Sequence, residues 1–173
     1  MRSSVRRVMT TTERPGEASL ASTSSLRLTG SELEVALAEV EAVLAMVPDG
    51  DYRDRLELLR AQLSGDGPDE GGVLELDRLL GIALQSGRLR ALYGPAGESA
   101  ATRLFRKLPT GRELGASANE VTDALGTLSG QVLDEMAVTA NGPGAFGLAL
   151  TVGGRELHVR LDRQGVRLHS VGT

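Results

Sequence analysis

Between residues 136 and 171, apolar side chains alternate with polar or small ones, and glycine-rich turns interrupt at 141–144, 153–154 and 162–165. Alternation of this kind puts successive side chains on opposite faces of a strand, so the stretch is predicted to be a β-meander with one buried face. Its register follows from turn chemistry. Gly153-Gly154 suits a two-residue primed turn, whose central residues need positive φ. Leu150 then faces Leu157, Leu148 faces Val159, and Phe146 faces Leu161, all on one face. The turn 162–165, closed by Gly165, sets Leu161 against Val166 and Val159 against Leu168. A one-residue slip would set Leu161 against Arg167 instead. The same register predicts His158 opposite His169 and Arg160 opposite Arg167 on the outer face, which Glu156 and Asp162 share.

Such a sheet needs helices to cover it, and composition limits what the core contains. The chain has 173 residues, enough for one domain of ordinary size. Aromatic residues are 2% of the chain, so the core must be mostly Leu, Val and Ala. There is no Cys, which excludes disulfides, thiolate nucleophiles and Cys-type metal sites. A net charge of −4 and the scarcity of aromatics disfavour nucleic acid as a partner. Apolar runs such as 42–47 are too short to span a bilayer, so no membrane association is expected. A cytoplasmic location fits the missing Cys.

Residues 1–30 are rich in Ser and Thr, lack periodicity and read as a disordered tail. Arg6-Arg7 resembles a twin-arginine signal, but no apolar segment follows, so export is not expected. Leu20 to Leu28 is a candidate docking peptide within that tail. From 31 to 64 the spacing predicts a helical hairpin. Ser31 and Glu34 make a capping box, and Leu33, Ala36, Leu37, Val40, Val43, Leu44 and Val47 form one stripe. Glu32, Glu34, Glu39 and Glu41 are placed mostly away from its centre. Pro48 to Asp51 turns the chain, and Tyr52, Leu56, Leu59 and Leu63 make the second stripe.

Residues 65–72 read as a linker before a compact α+β domain over 73–173. There the pattern predicts a helix over 73–86 with Leu76, Leu79, Leu80 and Ala83 inward and Gly87 as its left-handed stop. A short strand is expected over 88–93, bracketed by Gly87 and Gly94-Pro95. A helix is expected over 95–108, stopped by Pro109, and a last helix starts from a Ser117/Glu120 capping box and carries Val121, Ala124, Leu125 and Leu128.

Three surfaces are candidates for function. His158, Arg160, Arg167 and His169 on the outer face suit an anion or an acidic partner. The imidazoles with Glu156 or Asp162 have metal-ligand chemistry, but the neighbouring arginines disfavour a cation, and solvated sheet residues explain them as well. Arg88, Arg90, Arg103, Arg106 and Lys107 make a candidate basic patch, against the plainer reading of charges spread over solvated faces. The stripe Leu33, Leu37, Val40, Leu44 and Val47 is a candidate oligomer or partner surface if the hairpin stands apart. Gly94-Pro95-Ala96-Gly97 lacks the Gly-Lys-Ser of a phosphate loop. No nucleophile elbow, paired-histidine helix or carboxylate pair is evident, and no cofactor or metal is expected.

The expected architecture is α+β: an N-terminal helical hairpin and further helices packed on a C-terminal four-stranded antiparallel β-meander. The expected function is a non-catalytic interaction module (adaptor, assembly factor or structural subunit) with a protein partner or as a homo-oligomer. The alternatives are a small-molecule or anion-binding module using the outer meander face, and nucleic-acid binding through the basic middle.

Overall fold

The computed structural model describes residues 26–172, and the candidate docking peptide before Leu26 lies outside them. The elements run α1 (Gly30–Leu44), α2 (Asp51–Leu63), α3 (Glu70–Gln85), α4 (Arg88–Phe105), α5 (Pro109–Gly126), β1 (Leu133–Gly142), β2 (Ala145–Val152), β3 (Arg155–Asp162) and β4 (Gly165–Gly172). This is the expected α+β class, with the four strands in a simple meander, β1-β2-β3-β4.

The helices bury one core, built from Val35, Val40, Leu44, Leu56, Leu59, Leu63, Leu76, Leu80, Leu89, Leu104 and Leu108 among others. The stripes expected on α1, α2 and α3 all point into it. The α1 stripe is therefore not a free surface: Val40 and Leu44 are buried, and Leu33, Leu37 and Val47 are partly buried against the same core. α3 and α4 supply the cover that a hairpin alone lacks, and the 65–72 stretch connects two helices of this shared core. The segment 26–29 also belongs to it. Leu26 and Leu28 pack on the core, and Thr29, rather than Ser31, caps α1. The Thr29 N–H donates to the Glu32 carboxylate at 2.7 Å.

Two α1 acids expected away from the centre of the stripe, Glu32 and Glu39, are buried. They lie seven residues apart, two helical turns, and so share a face. Both meet bases of α4 or its C-terminal turn: Glu39 pairs with Arg88, and Glu32 with Lys107 at 2.7 Å. Burial pushes the Glu32 carboxyl up, but hydrogen bonds from Lys107 and Thr29 and the Lys107 charge outweigh it and hold the group below its ordinary 4.5. A lowered folded-state value means stability that is fully present above 4.5 and lost as pH falls through the lowered value. Glu32→Gln should therefore flatten the acid limb of stability against pH, read as denaturant midpoints between neutral and acid pH. An unchanged acid limb would remove this group from the account.

Residues 88–93, expected as a strand, are helical. Gly87 stops α3 at φ +69° as predicted, but Leu89 then turns into the core and Arg88 onto Glu39, which a helical turn permits. The non-helical residue is Gly94 (φ +66°), which kinks α4 before Pro95. Pro109 starts α5 at its first position instead of only ending a helix. Ser117 is consequently inside α5 and caps nothing; its hydroxyl donates to the Val166 carbonyl of β4.

In the sheet, the register between β2 and β3 is the expected one, from Val152 with Arg155 to Phe146 with Leu161. Gly153 and Gly154 both have positive φ, +56° and +77°. β3 and β4 pair as expected over Leu161 with Val166, Arg160 with Arg167 and Val159 with Leu168. A bulge then intervenes, so His158 pairs with Ser170 and not with His169. Leu157, Val159 and Val121 form the centre of a second small core, with Leu148, Leu150, Val166 and Leu168 around it. α5 supplies its helical side.

Candidate functional site

The outer face of the meander does gather polar groups. A shallow cavity of about 270 Å³ is lined by Thr139, Asn141, Gly147, Ala149, His158, Arg160 and His169. Gly147 makes room for it: a Cβ there would sit 2.7 Å from the Thr139 hydroxyl and 3.1 Å from the Asn141 amide. Three of the four outer-face candidates thus come together. The bulge keeps His169 beside the cavity while taking it out of register with His158. His158 lies 3.5 Å from Glu156, and Arg160 bonds Asp162 at 3.0 Å. Among the described residues, no group of three His, Cys, Asp or Glu side chains is placed to hold a metal.

Arg167 goes elsewhere. With Arg163 and Gln164 of the β3–β4 turn, it lines a cleft of about 520 Å³ whose other walls are α3, α5 and the end of α4 at Phe105. That size falls in the range of small-molecule sites. At one end sits Asp77 of α3, which is buried. Its Oδ2 accepts from the Thr110 N–H at 3.1 Å and from the Thr110 hydroxyl at 2.7 Å, capping the start of α5. Its Oδ1 has no partner. Two contacts hold the turn on α5: Ser117 bonds Val166, and Gly165 (φ +108°) lies against Leu114.

The basic patch is largely dispersed. Arg88 and Lys107 are committed to Glu39 and Glu32. Arg90 lies 3.8 Å from Glu98, and Arg103 bonds Ser99 at 2.9 Å. Arg106 lines a separate surface hollow with Arg112.

A third feature is an absence of cover. α5 lies along β4, and every residue of β1 is exposed. On the inner face, Met136 and Val138 are 61% and 66% exposed, with Leu133, Phe146 and Leu161 beside them. β1 is also a sheet edge.

Compared with known proteins, the chain has no significant match to a family model, a curated protein or a solved structure. The geometry alone therefore ranks these places. Sequence reading missed Asp77, Thr110, Glu113, Arg163 and the exposed edge. Asp77 was detectable as an acid flanked by the inward Leu76 and Leu80. Arg163 gave no signal, because its neighbours in the cleft come from distant parts of the chain. Among the described residues, no helix is long and apolar enough to cross a membrane.

Proposed function

We propose that this chain is a non-catalytic interaction subunit that assembles with a second copy of itself, edge to edge, through β1. The observation that carries the reading is the bare β1 edge, ten residues long with its inner apolar side chains in water. Unpaired edge strands usually carry protection in the form of Lys, Pro, inward charge or a cover. β1 has no Lys, Arg or Pro. Its two irregularities, at Leu133/Glu135 and Ala140/Gly142, leave the stretch from Glu135 to Ala140 in continuous register between them.

That stretch is self-complementary. In an antiparallel pair of β1 strands about a two-fold axis at Ala137, Met136 of one copy faces Val138 of the other, and Glu135 faces Thr139. The apolar pairs fall on the inner face, where cross-strand contacts contribute roughly 0.2–1 kcal/mol each. No like charges meet, because the acids Asp134 and Glu135 lie at one end of the strand. The product is an isologous dimer with an eight-stranded sheet.

The intact chain is expected to have about twice its 18.2 kDa mass in size-exclusion chromatography with light scattering. Met136→Lys with Val138→Lys should return it to the single-chain mass with unchanged circular dichroism. A wild-type chain that stays monomeric up to about 100 µM, a concentration at which even modest interfaces associate, would overturn the proposal.

A further inference from the structure

We infer that the cleft between α3, α5 and the β3–β4 turn binds a small zwitterion with an apolar body, of the amino-acid or dipeptide class. This does not depend on how β1 is used. Both signs of charge line the cleft. Arg163 and Arg167 come from the sheet side, and Asp77 and Glu113 from the helix side together with Arg78, which lies 4.0 Å from Glu75. Among the described residues, no ion pair engages Arg163, Arg167 or Glu113. Two guanidiniums on one short hairpin match a carboxylate, which accepts their N–H groups in parallel.

On the helix side an unpartnered carboxylate calls for a donor. Asp77 is 8% exposed, and its Oδ1 is buried without a partner, a state that native proteins rarely leave unexplained. Glu113 is exposed on the rim, one helical turn from Thr110. An ammonium group entering between Glu113 and Asp77 gains both charges. The wall between the ends is apolar: Ile82, Phe105 and Leu114 line it, and Ile82 is 58% exposed with nothing over it. Gly81 sits beside the Phe105 ring, where an added Cβ would be in ordinary contact at 3.8 Å. The β3–β4 turn is already fixed to α5 through Ser117 and Gly165, so a ligand has little ordering to impose.

Calorimetric titration of the intact chain tests this with six probes: leucine, phenylalanine, leucyl-leucine, N-acetyl-leucine, leucinamide and inorganic phosphate. A zwitterion should bind at least about tenfold more tightly than the acetylated or amidated leucine, the scale of one lost charge-assisted contact. Arg163→Ala with Arg167→Ala should erase the preference over leucinamide. Glu113→Gln should reduce the preference over N-acetyl-leucine, with Asp77 retaining the remainder. All three side chains are exposed, and unchanged melting curves would confirm folded variants. The inference is overturned if no zwitterion binds at about 10 mM, the weak end of specific recognition. It is equally overturned if binding survives the double arginine substitution, or if phosphate alone binds as tightly as the best zwitterion.

Discussion

Gly111→Ala is expected to destabilise the protein by roughly 3–5 kcal/mol, the range reached when a core position is overfilled against atoms that cannot move. Gly111 is the third residue of α5, immediately after the turn from α4, and it is buried. A Cβ added there would lie 2.6 Å from the Phe105 carbonyl carbon, 2.9 Å from the Arg106 Cα, and closer still to the Phe105 oxygen. These are backbone atoms at the end of α4, between the fully buried Leu104 of that helix and Leu108, the residue that precedes α5, so relief requires prising α4 and α5 apart. The two ends approach closely because Pro109 restarts the chain as a helix after a short turn. A Tm lower by about 10 °C or more is the expected reading for a chain of this size. Gly115→Ala, one turn further along, is the control. Nothing lies within 4 Å of its Cβ position, so helix propensity alone operates and stability should rise by roughly 0.5–1 kcal/mol. Equal effects at the two positions would refute the close approach.

The contrast between these glycines shows what a sequence of this kind does and does not carry. The meander register was legible because two independent signals agreed: a glycine pair suited to a primed turn, and an alternation that fails on a one-residue slip. The bulge beside His169 escapes that alternation, although the sequence holds a trace of it. Val166 and Leu168 share a parity that Val171, paired with Leu157, breaks. An extra residue between them is the simplest cause. The stretch 88–93 was too short to show any period, and its state was decided by what Leu89 and Arg88 meet in space. The buried acids of α1 were misplaced for a related reason. A helix pattern says which face a glutamate occupies, but not whether a base on another helix waits there. The candidate cleft was out of reach altogether, since α3, α5 and a hairpin turn converge only in the folded chain.

Arg88→Ala should cost roughly 3–5 kcal/mol, because it leaves the Glu39 carboxylate buried without its counter-charge. Glu39 is completely buried, and its Oε1 already lacks a partner, so the Arg88 contact is the main compensation for removing that charge from water. Tyr93 stands beside the pair. Burial first, and then the Glu39 charge and a hydrogen bond to it, push its hydroxyl above the ordinary tyrosine value and keep it protonated, but a neutral donor does not replace the Arg88 charge. The reverse change should be milder. The Arg88 side chain is 28% exposed, so in Glu39→Gln the guanidinium can turn toward water, and the amide retains hydrogen-bonding capacity. The double variant Glu39→Leu with Arg88→Met removes both charges while keeping volume, and it should recover most of the loss or exceed the parent. Urea unfolding of the parent, both single variants and the double closes this cycle. A double variant as unstable as Arg88→Ala would mean that the cost lies in lost packing at the α1–α4 contact. Recovery would instead locate it in the stranded carboxylate, and would identify the pair as a device that fixes how α1 sits against α4 more than as a net source of stability.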